Sequence, residues 1–400
     1  MTNTVYPNST WRNTGLLAAC QALLFTNNST LIAINGLAGL SLAPYAGLAT
    51  LPVTCWVLGG AIATMPASFH MKRVGRQRGL TLGTLWGIAG ALLCAAAIWT
   101  QSFWLLCFGA LVWGAYNAYG QYYRFAAADI ATPDTRANAI SLVLAGGLVG
   151  GILGPTSSRF TIDLVQPKFM GAYLALVLFA LATIALLRFI RIPTPTPAER
   201  AESGRPLREI AAQPKFIVAV LSGAVSYGVM NFLMTSTPIA MQVCGHPFGD
   251  AAFVISSHVV AMFAPSFFTG RLIRRFGVLP VMMAGAALNL VCIGVALAGL
   301  AVANFWWALV LLGVGWNFLY IGGTTLLTET YRPEERAKAQ GANDQTIFIM
   351  MAISSFSSGM TVTTAGWSRV NLMALPLVAV ATGAILWFAL RARARKAAPL

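Results

Sequence analysis

The stretch Asn117–Ala137 reads NAYGQYYRFAAADIATPDTRA, and two hundred residues later Asn317–Ala337 reads NFLYIGGTTLLTETYRPEERA. Both stretches begin with asparagine, and near their ends they share an acid, a proline, an arginine and an alanine in one register. Shorter matches lie upstream at nearly the same offset: Phe103–Trp104 with Phe305–Trp306, and Arg73–Gly75 with Arg275–Gly277. Repetition at one offset indicates a duplicated unit of about half the chain.

The sequence around these repeats is too apolar for a soluble protein. Of the 400 residues, 57% are hydrophobic and 9% are charged, whereas about 25% are charged in an ordinary soluble domain. A helix needs about 20 apolar residues to cross a bilayer. Apolar runs lie near residues 14–35, 43–68, 80–100, 103–126, 138–160, 170–190, 215–237, 251–270, 279–301, 305–328, 339–362 and 371–390. We therefore predict an all-α integral membrane protein with twelve transmembrane helices in two pseudo-symmetric six-helix bundles.

The runs fall into two sets of six with a polar segment between them. We expect residues 1–190 to form the first bundle, residues 191–214 a cytoplasmic linker, and residues 215–400 the second bundle with a basic cytoplasmic tail. Most lysines and arginines fall in the linker, the tail and alternate loops, so the positive-inside rule predicts cytoplasmic termini and an uncleaved first span. The same rule explains the net charge of +15 without a nucleic-acid partner.

Two loops, after the second and the eighth run, carry a shared basic motif. The first reads SFHMKRVGRQR at residues 68–78, and the second reads GRLIRRFG at residues 270–277. They resemble the signature loop of the major facilitator superfamily: glycine, three residues, aspartate, arginine, any residue, glycine, then basic residues. This chain departs from that pattern, because Lys72 and Arg274 stand at the aspartate position. The resemblance implies the major facilitator fold and a bacterial inner-membrane protein.

By the same resemblance, the first, fourth, seventh and tenth spans line a central cavity. Each of them holds an asparagine in an apolar run, and aromatic residues accompany these amides. The candidate substrate-binding residues are Asn27, Asn28, Trp113, Tyr116, Asn117, Arg124, Tyr227, Asn231, Trp316, Asn317 and Tyr320. Amides offer donors and an acceptor to a solute, and aromatic walls suit a planar ring. The alternative is that these side chains hold neighbouring helices together.

Proton coupling requires an ionisable group within the membrane, and the sequence offers two candidates. His258 is the only histidine inside an apolar run, and an imidazole exchanges its proton near neutral pH. A hydrogen-bonded packing role is the alternative for it. Asp344 is the second candidate, although it enters only the first turns of the eleventh run. No run carries a carboxylate at its middle, which weakens the case for a drug/proton antiporter.

Acidic residues also lie at helix ends that the basic loops are expected to meet. The superfamily fold brings the loop after the second span beside the eleventh span, and the loop after the eighth beside the fifth. The expected gating residues are Lys72 and Arg73 facing Asp344 and Glu329, and Arg274 and Arg275 facing Asp129 and Asp134. The alternative is that these bases only set the topology and bind anionic lipid head groups.

We therefore predict a secondary transporter that moves a small organic solute across the inner membrane by alternating access. Uptake of a neutral aromatic or vitamin-like nutrient is favoured, and efflux of hydrophobic drugs or toxicants by proton antiport is the alternative. A membrane enzyme or a non-transporting receptor is the alternative of another class, but no phosphate-binding loop or catalytic cluster supports an enzyme. The expected partners are the solute, the lipid bilayer and protons; we expect a monomer without cofactor or metal.

Overall fold

The computed structural model describes residues 7–45, 48, 51–194, 196 and 204–397, and within these ranges the chain contains helices and no strand. Part of the predicted linker, residues 195 and 197–203, lies outside the described residues, as do the side chains of the basic tail from residue 392. The helices are α1 (Pro7–Leu42), α2 (Leu51–Val74), α3 (Arg76–Trp99), α4 (Phe103–Gly120), α5 (Tyr123–Ile130), α6 (Arg136–Thr161), α7 (Met170–Phe189), α8 (Leu207–Ala211), α9 (Pro214–Val243), α10 (Phe248–Phe263), α11 (Ser266–Phe276), α12 (Val278–Leu297), α13 (Val302–Leu327) and α14 (Arg336–Ala397).

Ten described helical segments are long and apolar enough to cross a membrane, and α10 with α11 forms an eleventh as a pair bent by 41°. Two of the ten lie within α14, which is interrupted at Gly366, where a φ of 75° suits only glycine without strain. The shorter α4, of 18 residues, packs against α2 and α3. The bend between α10 and α11 falls at Pro265, because proline cannot donate a helical hydrogen bond.

Two differences from the predicted bounds change the position of a charged residue within its helix. The fourth run was expected to be one helix over 103–126, but α4 ends at Gly120 and a two-residue turn precedes α5, which carries Arg124. The eleventh was expected to begin at residue 339, but a 3-10 turn at Pro333–Glu335 leads directly into α14. Asp344 therefore lies in the third turn of a helix and is 2% exposed, deeper than the sequence indicated.

Contacts between Cα atoms group the chain into two compact units. The first comprises Met1–Gly204 and Pro333–Gln345, so it includes the beginning of α14. Within it α1 packs along α6, and α4 packs along α2 and α3. At Gly146 and Gly150 of α6, the backbone of α1 comes so close that no Cβ would fit. Small residues at such crossings are how membrane helices gain packing energy without a hydrophobic driving force.

The second unit comprises Arg205–Arg332 and Thr346–Leu400. Its central helix is α13, which packs against α9, α10 and α12. Val229, Leu309 and Leu312 are among the fully buried residues of its core. Large apolar side chains such as Phe356 are instead exposed, as expected for a surface that lipid covers.

Candidate functional site

The first unit contains a cluster of buried side chains, several of them amides, at the C-terminal half of α4. Asn28 of α1 donates through Nδ2 to Asn117 Oδ1 at 2.9 Å, and Trp113 Nε1 donates to Asn28 Oδ1 at 3.3 Å. Asn28 is 6% and Asn117 is 4% exposed. We call these three residues, with Asn27 and Tyr116, the amide cluster. The structure thus brings together five residues that the sequence singled out one by one.

Asn27 and Tyr116 complete this cluster, but their polar atoms make no hydrogen bond of normal geometry within the described residues. Tyr116 packs edge-on against Trp113, with ring centroids 5.3 Å apart, and its hydroxyl lies near Asn27. Within the described residues, neither polar atom of Asn27 nor the Tyr116 hydroxyl has a hydrogen-bond partner of normal geometry. Buried polar groups are usually satisfied, so these two side chains retain hydrogen-bonding capacity that a solute could use.

Arg124 and Asp344 form a buried ion pair in the same unit. Arg124 Nη2 donates to Asp344 Oδ1 at 2.5 Å, and the two side chains are 1% and 3% exposed. Asn343 Nδ2 donates to the same oxygen at 2.8 Å, while Oδ2 accepts no hydrogen bond from the described part of the chain. Because an isolated buried charge is costly, each of these ions stabilises the other in place.

A residue that the sequence did not single out connects the ion pair to the amide cluster. Gln121 lies in the turn between α4 and α5, where its Nε2 donates to Asn117 Oδ1 at 3.4 Å. Its side-chain Oε1 accepts from Arg124 Nη1 at 3.2 Å. The spacing of Gln121, four residues after Asn117 and three before Arg124, places it between them on a helix and could have identified it.

The predicted gating residues pair differently from the expectation. Asp129 was expected to face Arg274 or Arg275, but its Oδ2 accepts from Arg76 Nε at 3.1 Å and its Oδ1 lies 3.6 Å from Arg336 Nε. Arg76 also donates to Gln340 of α14. These four residues, Arg76, Asp129, Arg336 and Gln340, form what we call the gating cluster. It holds the start of α14 against α3 and α5 because the first arginine after Gly75 of the motif, and not Lys72 or Arg73 before it, reaches the carboxylate.

Two other acidic residues pair with bases that the sequence did not assign to them. Asp344 was assigned to Lys72 and Arg73, but Arg124 occupies it. Glu329 pairs with Lys215 at 2.8 Å, at a site where both side chains are more than a third exposed. Four of the proposed gating residues lie at the surface: Arg73, Asp134, Arg274 and Arg275.

The second unit contains a cluster of aromatic residues around Trp316. Its indole stacks on Tyr320 with centroids 5.0 Å apart and an interplanar angle of 25°. Tyr227 of α9 meets the two rings edge-on at 5.3 and 4.9 Å, and Phe263 meets Trp316 at 5.6 Å. We call these four residues the aromatic cluster. The Trp316 Nε1 donor has no hydrogen-bond partner within the described ranges, although the side chain is fully buried.

The two asparagines of the second unit that were predicted to bind substrate, Asn231 and Asn317, hold helices together. Asn231 Nδ2 donates to the Met351 carbonyl at 3.1 Å and to Ser354 Oγ at 3.0 Å, joining α9 to α14. Asn317 Nδ2 donates to the Met262 carbonyl and to Ser266 Oγ at 2.6 Å, while Thr269 donates to its Oδ1 at 2.7 Å. These three partners of Asn317 lie at the bend between α10 and α11, which favours the packing interpretation for this amide.

His258 lies in the core between α10 and α13. Its Nδ1 lies 2.7 Å from the Leu309 carbonyl, which identifies that nitrogen as the donor of the neutral ring. Its Nε2 has no hydrogen-bond partner among the residues that the structure describes, and the side chain is fully buried. This bond to a helix backbone favours a packing role.

Sequence comparison gives matches along most of the chain. The sequence profile described as Major Facilitator Superfamily matches residues 17–355 and 219–400. The protein "Riboflavin transporter RfnT" of Brucella anthropi is 42% identical over 372 residues, covering 92% of this chain and 94% of that protein. The "Uncharacterized MFS-type transporter YddS" of Bacillus subtilis is 31% identical over 85% of this chain and 82% of its own.

Solved structures agree with the fold. The transporter FucP, crystallised in the outward conformation, superimposes with a TM-score of 0.76 at 17% identity and covers 94% of this chain and 98% of its own. The proton:xylose symporter XylE superimposes with a TM-score of 0.79 at 14% identity over 96% of each chain. At this identity the likeness concerns the fold alone, and it confirms the predicted arrangement of twelve transmembrane helices in two six-helix bundles.

Proposed function

This chain belongs to the major facilitator superfamily, and on that premise we propose that it takes up riboflavin or a closely related flavin across the bacterial inner membrane. The proposal is carried by the 42% identity with the Brucella anthropi riboflavin transporter over 92% of this chain. The relatives and the fold are those of membrane transporters and not those of enzymes. A flavin is also an aromatic vitamin, the substrate class that the sequence favoured.

The chemistry of the two clusters supports a flavin as the solute. Riboflavin combines a planar, uncharged tricyclic ring, a polar edge with N–H and C=O groups, and a polyol chain. The aromatic cluster provides ring faces and edges for a planar ring, and Trp316 Nε1 is available as a donor. The amide cluster provides donors and acceptors for the polar edge or the polyol. We therefore propose each cluster, considered within its own unit, as a candidate for substrate contacts.

We assign the coupling proton to Asp344. Its Oδ2 accepts no hydrogen bond from the described residues, so a proton can be added there without displacing a donor. The added proton removes the negative charge that holds Arg124, so proton binding alters the ion pair. His258 already donates to the Leu309 carbonyl, and we therefore give it the packing role.

Transport then proceeds by alternating access of two bundles, residues 1–190 and 215–400, joined by the linker 191–214. Both termini lie on the cytoplasmic side, and the protein acts as a monomer. The gating cluster holds the start of α14 to the first unit, and release of Asp129 frees it.

A growth assay tests the proposed substrate. A bacterial strain that requires riboflavin and lacks its own uptake system should grow on low external riboflavin when it expresses this chain. An empty vector should not restore growth. Trp307→Leu changes an exposed tryptophan outside both clusters, and it should restore growth as well as the unchanged chain does. Absence of growth with normal amounts of protein in the membrane contradicts the proposal.

A further inference from the structure

We propose that Gln121 is a positioning residue that couples occupation of the amide cluster to the charge state of the Arg124–Asp344 ion pair. This inference rests on the function proposed above and names the residue that links its two parts. The two ends of the Gln121 amide are committed to different groups: Nε2 to Asn117 Oδ1 and Oε1 to Arg124 Nη1. A displacement at one end therefore changes the geometry at the other.

The contact with Arg124 restrains a rigid group. Nη1 is shared between the Gln121 carbonyl, at 2.6 Å, and the Gln121 side-chain oxygen, at 3.2 Å. Nη2 of the same guanidinium donates to Asp344 Oδ1. Because the guanidinium is planar and its donors have fixed directions, a rotation that changes the bond at Nη1 also moves Nη2. The Gln121 side chain thereby influences how well Arg124 pairs with Asp344.

The contact with Asn117 is the point where a solute can act. Asn117 Oδ1 already accepts from Asn28 at 2.9 Å and from Gln121 at 3.4 Å. A carbonyl oxygen has two lone pairs, so a third donor must displace one of the two. The longer bond, from Gln121, is the weaker. A flavin N–H or polyol hydroxyl that donates to Asn117 therefore releases the Gln121 amide.

The consequence for Asp344 has a definite direction. When Arg124 loosens, the buried carboxylate keeps only the neutral donor Asn343, and a buried charge with poor pairing favours its neutral, protonated form. Arg76 and Tyr122 are the other charged or titratable groups that act on Asp344, and Gln121 contacts neither in the bonds described above. Solute binding and proton binding thus favour each other, as a symporter requires.

Binding of riboflavin by the purified chain, followed through quenching of flavin fluorescence, tests this coupling. Asp344→Asn imitates the protonated carboxyl, and we expect it to tighten riboflavin binding by about fivefold. Gln121→Met keeps the side-chain length and removes both hydrogen bonds, so in that background Asp344→Asn should change the affinity by less than about twofold. Gln121→Glu keeps only the acceptor for Arg124 and serves as the second variant if Gln121→Met does not fold.

Gln77→Met is the matched control, because Gln77 lies in the same unit and donates to the Leu187 backbone carbonyl at 2.8 Å. In that background the fivefold effect of Asp344→Asn should persist. An equal effect of Asp344→Asn with and without the Gln121 amide, or no effect in the unchanged chain, overturns the role of Gln121 and leaves riboflavin binding intact. Absence of riboflavin binding by the unchanged, folded chain overturns the proposed function and this inference with it.

Discussion

Asn117 and Asn317 occupy the same position in the two repeats, but only Asn317 has its amide committed to a break in a neighbouring helix. All three partners of Asn317 lie near Pro265, where the span is interrupted; they are the backbone carbonyl of Met262 and the side-chain hydroxyls of Ser266 and Thr269. Asn117 instead accepts hydrogen bonds at its Oδ1 from two side chains, Asn28 and Gln121. The asparagine of the second repeat thus holds two helices together, and we propose that the asparagine of the first repeat contacts the substrate.

This difference predicts separate effects of the same substitution. Asn117→Ala should weaken riboflavin binding about tenfold, because the solute loses one hydrogen bond worth roughly 1.4 kcal/mol. Asn317→Ala removes three buried hydrogen bonds, to the Met262 carbonyl, Ser266 and Thr269, which should cost about 1–3 kcal/mol of stability. Melting temperature and riboflavin affinity, measured on both purified variants, distinguish the effects. Equal losses of affinity in the two variants would return Asn117 to a packing role.

If the aromatic cluster binds the solute, loss of a tryptophan should lower riboflavin affinity only when that tryptophan belongs to the cluster. Trp316→Leu removes a ring that stacks on Tyr320 and meets Tyr227, so riboflavin affinity should fall about tenfold. Trp307→Leu removes an equally large ring that is 52% exposed and should leave the affinity unchanged. Binding measured for both variants at matched amounts of folded protein checks this. An unchanged affinity in Trp316→Leu would remove the aromatic cluster from the binding site.

The two candidates for proton coupling predict different pH profiles. If Asp344 carries the proton, uptake by the unchanged protein rises as the external pH falls, because protonation from outside accompanies solute entry. Asp344→Asn cannot gain or lose this proton, so its exchange of solute should be independent of pH. His258→Gln retains an amide donor for the Leu309 carbonyl and should keep the wild-type profile. A flat profile in His258→Gln with a normal profile in Asp344→Asn would reverse the assignment.

The gating cluster predicts a movement of the start of α14. Asp129→Asn removes both ion pairs of this carboxylate: the pair with the partly exposed Arg336 is worth about 0–1 kcal/mol, and loss of the pair with the buried Arg76 costs more. Spin labels at Arg78 and Glu334 should then report a larger fraction of long distances, increased by a few-fold. Asp134→Asn is the control, because Asp134 is exposed and its described surroundings contain no ion pair for it. The same distances in Asp129→Asn and the unchanged protein would exclude a gating role for Asp129.

The architecture could be predicted because both the length of the apolar runs, which bilayer thickness sets, and the internal repeat are visible in the sequence itself. An apolar run of about 20 residues indicates a membrane span independently of the helices that pack against it. The offset of 200 residues between Asn117 and Asn317 indicates the duplication. The breaks were harder to predict. The end of α4 at Gly120 falls inside the run 103–126, which was predicted as one helix.

The pairing of charges was the least predictable part of the site. A motif indicates that bases and acids meet, but the choice between the bases depends on the turn at Gly75, because Lys72 and Arg73 end α2 and Arg76 begins α3. Arg76 is buried and reaches Asp129, while Arg73 is exposed. Gln121 was missed for a different reason. Its role follows from two simultaneous hydrogen bonds, and only its spacing from Asn117 and Arg124 could have indicated them.

Counterflow of labelled riboflavin in liposomes tests the central claim most directly. Vesicles that contain the purified protein and an excess of unlabelled riboflavin should transiently accumulate labelled riboflavin from outside, without any proton gradient, and Trp316→Leu should reduce this accumulation. An inward gradient of protons should then drive net uptake by the unchanged protein and not by Asp344→Asn. Vesicles that exchange no riboflavin, while the same preparation moves hydrophobic drugs outward against protons, would contradict the proposed uptake of flavins.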